Sequence, residues 1–289
     1  MVGFHKEIIR TYRKVHNYMV KHFIVANRQI GISRGVYFVD STQKFSGLAE
    51  NYTVGRPVYA GAFIDSLYSQ YGLLKQSVIA DIGSGTGKFA KQLLDKGNFV
   101  YCIEPNDDMR KNAVDELGKY MGFRSIDGTA EATKLDEQSV DHITVAQAFH
   151  WFDTKSFQKE CKRILRPNGK VFLIWNMRDM SSEVNQVSYA IFSKYCPNFK
   201  GFGGGIKKGD IRIGQFFENK YEYAEFDNSL FYNRNTFISR SLSGSYSLKK
   251  GDGNYCAYID ALSELFEKYA KDNIITMENK TVAYIGRMD

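Results

Sequence analysis

The sequence predicts an α/β fold, a mostly parallel sheet covered by helices on both faces. Three observations predict it. From about Lys75 onward, short apolar runs alternate with helical patterns in a regular strand–helix rhythm. The first run, residues 77–81, opens directly into the turn Gly83-Ser84-Gly85-Thr86-Gly87 and then a helix start. Residues 170–175 are nearly continuous in apolar character, as a strand buried on both faces requires.

Taken in order, residues 4–25 space Ile8, Tyr12, Val15, Met19 and Phe23 three and four apart, the stripe of an amphipathic helix. It belongs either to a helix packed on its own domain or to a lid, a dimer contact or a nucleic-acid arm. Residues 77–81 are the first strand, and 87–95 a helix with Phe89, Leu93 and Leu94 on one face. Residues 99–104 form a second strand and 107–120 a second helix, capped at Asn106 or Asp107. Two more strands follow at 123–126 and 140–146. The helix at 154–165 is stopped by Arg166-Pro167-Asn168-Gly169, where proline cannot continue it and glycine permits the turn. Residues 170–175 are the fifth strand. Beyond Trp175 the rhythm breaks: a helix-like stretch, the loop at 201–205, an alternating strand at 221–235, and a helix at 254–271 with Ile259, Leu262, Phe266 and Tyr269 inward. Residues 274–277 and 281–287 read as a terminal strand pair around Glu278-Asn279-Lys280.

Composition removes several function classes. A hydrophobic content of 43% in 289 residues supports a full core and excludes wholesale disorder. No apolar run approaches the roughly 20 residues that span a bilayer, and the charged start lacks a signal-peptide block. Four scattered cysteines form no Cys-x-x-Cys pair, so neither structural zinc nor a disulfide framework is expected, and no metal site. A reducing cytoplasm fits. The net charge of +7 is concentrated: residues 1–40 carry seven Lys/Arg against two acids, and the remainder is nearly neutral. The basic character therefore belongs to an N-terminal arm, which disfavours nucleic acid as the partner of the whole protein.

The glycine turn and Glu104, 23 residues after Asp81, describe a nucleotide-type cofactor lying across two neighbouring strand tips. Glycines let the backbone approach the ligand, and the carboxylate accepts from paired ribose hydroxyls. The third glycine of a dinucleotide fingerprint is replaced by Lys88. A dinucleotide has a pyrophosphate for the helix end to hold; S-adenosylmethionine has none, and is the expected cofactor, with S-adenosylhomocysteine as its product.

Four segments carry a resemblance: Phe45-Ser46 through Tyr52-x-x-x-Arg56-Pro57-x-Tyr59, the glycine turn, Gly128-Thr129-Ala130-Glu131, and Ala146-Gln147-Ala148-Phe149-His150-Trp151-Phe152-Asp153. With Trp175-Asn176-x-Arg178 they resemble the class I S-adenosylmethionine-dependent methyltransferases, and more narrowly the small-molecule branch around the trans-aconitate methyltransferases (methyltransferase type 11). The resemblance implies a Rossmann-like, seven-stranded, mostly parallel sheet. It also implies a methyltransferase domain at 45–289 with a cap inserted at about 178–250, while the N-terminal basic helical arm or lid at 1–44 is expected from its charge and apolar stripe alone. Thr129 stands where the family usually has Asp or Ser, and the basic arm has no counterpart in it.

In this frame Asp81 orders the turn and faces the cofactor's positive region. Gly83, Ser84, Gly85 and Gly87 shape the turn, and Glu104 with Pro105 meets the ribose. Thr129, Ala130 and Glu131 edge the adenine, although Glu131 is equally placed as an ordinary helix-start acid. Gln147 lies where the cofactor's methionine part and the acceptor meet. His150 is either a general base or a wall of the acceptor pocket with Trp151. Tyr52 and Tyr59 close the pocket, with Arg56 near a carboxylate, and Arg240 contacts the acceptor. The catalytic candidates are thus His150, Tyr52 and Gln147.

No Asn-Pro-Pro-aromatic tetrapeptide or Pro-Cys pair occurs, which disfavours the base-methylating chemistries. The aromatic segment after the fifth strand suits a small organic acceptor, an organic acid or secondary metabolite. The alternatives are an RNA or protein methyltransferase docking through the basic arm, or a cofactor-binding subunit without its own turnover. Either a monomer or a homodimer is expected, with no membrane partner.

Overall fold

A computed structural model describes residues 57–202, 206, 208–244 and 246–288. The anticipated arm at 1–44, Tyr52 and Arg56 lie outside the described residues.

Seven strands build the main sheet: β1 (Val78–Ile82), β2 (Phe99–Ile103), β3 (Phe123–Ile126), β4 (Val140–Ala146), β5 (Leu165–Arg178), β6 (Tyr221–Asp227) and β9 (Asn279–Arg287). Their order is β3-β2-β1-β4-β5-β9-β6. The first five are parallel, and β9 runs antiparallel between β5 and β6. The Rossmann-like sheet expected from the sequence is the sheet observed.

Alternation along each strand sends successive side chains to opposite faces. Ala80 and Ile82 join one core with Val171, Leu173 and Trp175, whereas Ile79 joins the other with Phe172 and Ile174. Helices α1 (Gly61–Ser69), α2 (Lys88–Asp95) and α3 (Asp107–Leu117) cover one face through Phe63, Phe89, Leu93, Ala113 and Leu117. The other is covered by α4 (Thr154–Ile164) and α6 (Ile211–Phe216), through Phe157, Cys161, Ile213 and Phe216.

Three expectations change. The Arg166–Gly169 turn lies inside β5 as an irregularity: Val140 pairs with Leu165 and His142 already with Lys170, and Asn168 takes φ 67°. The alternating stretch at 221–235 is not one strand. It divides into β6, β7 (Leu230–Tyr232) and the start of α7 (Arg234–Leu242), because Asn233 caps that helix by accepting from the Thr236 amide at 2.9 Å. The terminal strands do not pair with each other. β8 (Ile275–Met277) pairs with β7 in a separate two-stranded sheet, and β9 enters the main sheet.

A third core lies outside the two sheet faces. It is built from Phe192 of α5 (Glu183–Tyr195), Phe237 of α7, Tyr258, Leu262 and Phe266 of α8 (Tyr255–Tyr269), and Ile275 and Met277 of β8. Its α8 stripe is Tyr258, Leu262, Leu265 and Phe266, turned from the expected Ile259 and Tyr269, which are only half-buried.

Candidate active site

Strand order reverses direction between β1 and β4, the point where an open α/β sheet leaves a crevice beyond its carboxyl ends. The tips of β1, β2 and β4 carry Asp81, Glu104 and Gln147 respectively.

Asp81 is fully buried. Register places it opposite Thr144, whose Oγ1 donates to Asp81 Oδ1 at 2.8 Å. The other oxygen, Oδ2, is buried with no partner at full hydrogen-bond geometry among the described residues. Desolvation pushes the Asp81 carboxyl up to about 7; the Thr144 hydroxyl and the Ala90 amide oppose this, and the nearby Glu104 charge adds to it. Thr144 is a site-shaping residue the sequence reading missed. Its one signal is a hydroxyl set between the apolar Ile143 and Val145 of the strand.

Gly83, Gly85 and Gly87 all have positive φ, at 68°, 57° and 77°. At Gly83 a Cβ would lie 2.6 Å from Ala148 Cβ, and at Gly87 it would overlap Leu117 Cδ1. At Gly85 there is open space instead, so the turn is tight where it packs and clear where it faces outward. The Gly83 and Ser84 amides donate to the Ile103 carbonyl at 2.8 and 3.1 Å, tying the turn to the tip of β2.

Glu104 accepts from the Gly85 amide at 3.0 Å through Oε2 and from the Asn106 amide at 2.9 Å through Oε1. Burial raises its pKa, against those two amides and the Arg110 charge. A carboxylate has about four acceptor positions, so two remain for hydroxyl groups. Pro105 follows it, half-buried, ahead of the Asn106 cap of α3.

Thr129 and Ala132 pair through their backbones, and Ala130 is buried between them in the chain. Glu131 Oε1 accepts from the Asp153 amide at 2.9 Å, binding this turn to the start of α4. Gln147 takes φ 64°, an unfavourable conformation for a side chain of its size, and its Nε2 donates to the Asn176 carbonyl at 3.2 Å. His150 lies in a short 3-10 turn (Phe149–Trp151), its ring 4.7 Å from that of Trp151, which is 43% exposed. The structure therefore brings Asp81, the glycine turn and Glu104 together, with Gln147 at the neighbouring tip.

One expected residue sits elsewhere. Tyr59 is buried with its ring edge-on to Phe89 at 5.0 Å, while Gln92 bonds both its amide and its carbonyl at 3.0 and 2.9 Å. Arg240 lies on α7 beside the third core, bonded to Ser243 Oγ at 3.1 Å. Asn176, a residue given no role from sequence, holds the backbone at 57–58 by donating to the Val58 carbonyl at 3.1 Å. Its Oδ1 accepts from Thr281 Oγ1 at 2.7 Å and from Asn228 at 3.0 Å. The chain leaving residue 56 is thus clamped between α2, β5 and β9.

The arrangement fits S-adenosylmethionine on three observations: an unsatisfied buried carboxylate oxygen, an outward-open glycine cradle, and a second carboxylate with spare acceptor capacity. Among the described residues no cluster of three or more His, Cys, Asp or Glu side chains is placed to hold a metal. No described helix is long and apolar enough to cross a membrane. A cavity of about 380 Å³ lined by Lys170, Lys220, Glu222 and Arg287 lies at the opposite edge of the sheet, away from these tips.

Residues 80–173, from within β1 to within β5, match the family model described as a methyltransferase domain. An uncharacterized methyltransferase of Mycobacterium tuberculosis is 35% identical over 140 residues, 48% of this chain and 55% of that protein. An uncharacterized methyltransferase-like protein of Schizosaccharomyces pombe is 34% identical over 136 residues, 45% of this chain and 50% of that protein. The chain thus spans about half the length of the curated relatives it matches. Among solved structures, a candidate type II methyltransferase from Anaeromyxobacter dehalogenans aligns with a TM-score of 0.60 at 17% identity, covering 81% of this chain and 98% of that one. A candidate methyltransferase from an antibiotic biosynthesis pathway in Anabaena variabilis aligns at 0.55 with 22% identity, covering 80% and 98%. These two likenesses establish the fold.

Proposed function

We propose that the chain is an S-adenosylmethionine-dependent methyltransferase acting on a small organic acceptor. The observation that carries this reading is the buried Asp81, the glycine turn and Glu104 joined at the switch point of a sheet whose β1–β5 segment matches a methyltransferase domain.

When bound, the cofactor supplies a methyl group already activated by its sulfonium, which the acceptor's lone pair takes as the carbon–sulfur bond breaks. The chain's part is positioning. Glu104 accepts from the ribose hydroxyls through its remaining lone pairs. Asp81 presents its free oxygen to positive charge, and the turn at 83–87 admits the ligand without a Cβ in the way. Thr129, Ala130 and Glu131 border the adenine, with Glu131 held by the Asp153 amide. Gln147 at the tip of β4 and His150 with Trp151 face the acceptor and keep water from it. Acceleration then comes mainly from alignment and desolvation, so a dedicated base is needed only if the acceptor must lose a proton early.

Calorimetric titration of S-adenosylhomocysteine into wild type and Glu104→Ala tests the reading. A charge-assisted contact contributes roughly 1.5–3 kcal/mol, so the variant is expected to bind about 10- to 150-fold more weakly. Absence of binding to wild type would sink the proposal.

A further inference from the structure

Arg178 ends β5 on the same edge of the sheet as the cofactor crevice, two residues past Asn176. Its guanidinium stacks 4.2 Å from the Phe202 ring centre and 5.9 Å from that of Phe192. It makes one long hydrogen bond, from Nη1 to Asn185 Oδ1 at 3.5 Å. Asn185 is itself fixed, donating to the Asp179 and Glu278 carbonyls at 2.8 and 2.6 Å, so its carbonyl is presented to the guanidinium by the fold. A guanidinium carries five N–H donors, and here most have no acceptor among the described residues.

Other arginines in partly enclosed positions are matched: Arg163 with Glu160, Arg212 with Asp210, Arg110 with Asp107 and Asp127. Arg178 has no carboxylate among the described residues. The charged group that acts on it is a second cation, Arg240, with Tyr232, Tyr246 and Tyr258 around it. Desolvation, and then the Arg240 charge, push Arg178 down to about 10. A guanidinium enclosed by aromatic rings and acted on by a second cation is unfavourable for the empty protein, and an anion beside it would reverse that. The flanking rings favour a small anion with an apolar body, and the planar fork of arginine matches a carboxylate in a bidentate pair.

We propose that Arg178, assisted by Arg240, binds a carboxylate of the methyl acceptor and so makes the acceptor an organic anion. This rests on the methyltransferase reading above. It assigns to Arg178, at the end of a central strand, a carboxylate contact that the sequence suggested for Arg56 and Arg240.

The test uses the full chain loaded with S-adenosylhomocysteine. Acetate, succinate, benzoate and phenylacetate are titrated calorimetrically beside their uncharged amides and inorganic phosphate, in wild type, Arg178→Gln and Arg240→Gln. At least one carboxylate is expected to bind at least tenfold tighter than its amide and than phosphate. Arg178→Gln should lower that affinity tenfold or more and Arg240→Gln severalfold, each leaving S-adenosylhomocysteine affinity and the melting temperature undiminished. A structural arginine would lower the melting temperature instead. Equal binding of acid and amide, preference for phosphate, no carboxylate binding, or loss of S-adenosylhomocysteine affinity in Arg178→Gln would overturn the assignment. Arg240→Gln, on a half-exposed helix face, keeps the test open should Arg178→Gln fold poorly. Failure of wild type to bind S-adenosylhomocysteine would be read separately, as failure of the function itself.

Discussion

Asp81 is held by Thr144 through one oxygen and left unsatisfied at the other, in complete burial. Its pKa, raised to about 7 from 3.8, means that the folded chain binds more protons than the unfolded one between those values. Stability therefore falls as pH rises through that window, and above it the ionised group costs on the order of 4 kcal/mol. Asp81→Asn should be more stable than wild type in urea melts at about pH 8, with the gap closing towards about pH 4. The same variant should bind S-adenosylhomocysteine at least about tenfold more weakly, because a neutral amide no longer faces positive charge. Gly87 makes the complementary case. Alanine there would meet a φ of 77° and the buried Leu117, and Gly87→Ala is expected to lose roughly 1–3 kcal/mol in a denaturant titration. Gly87 was legible in the sequence from the Gly-x-Gly-x-Gly spacing between a strand and a helix. Thr144 was not, since its role depends on pairing across two strands far apart in the chain.

Among the elements, α3 couples stability to the site. Asn106 caps it by accepting from the Met109 amide at 3.0 Å, Asp107 and Asp108 occupy its first turn, and the Asn106 amide donates to Glu104. Acidic residues at a helix start favour the dipole, and the cap satisfies a donor the helix cannot. Asn106→Ala should cost about 1 kcal/mol of stability by chemical melts and weaken S-adenosylhomocysteine binding only severalfold, since the backbone amide on Glu104 survives. This cap was readable from Asn-Asp-Asp before a helical pattern. The fate of the last two strands was not. Residues 275–277 and 279–287 look like a hairpin locally, yet each finds its partner in a different sheet. Pairing of that kind is decided by which edge lies nearby, and local pattern holds no record of it.

Across the whole molecule, two cores sandwich the main sheet and a third stands beside it around Phe192 and Tyr258. Phe192 is 1% exposed and touches Phe199, Phe202, Tyr246 and Tyr258 with ring separations of 5.4–5.9 Å. Phe192→Ala should cost roughly 3–5 kcal/mol where it packs. Hydrogen exchange is expected to quicken in α5 and α8 while β1, β4 and β5 stay protected, and S-adenosylhomocysteine should still bind. Uniform loss of protection would mean that the third core does not open on its own. The sequence by itself determined the alternating α/β order and the glycine turn, and it singled out Asp81 and Glu104 as candidate site carboxylates. Those depend on short-range periodicity and on backbone conformations that few residues can adopt. Only the tertiary structure decided that Tyr59 is packed into the core and that Asn176 clamps the entering chain. It also decided that Arg178 lies against the rings of Phe192 and Phe202 with no carboxylate partner among the described residues. Such facts are sums over residues distant in sequence, and no local pattern encodes which buried charge will be left for a ligand to neutralise.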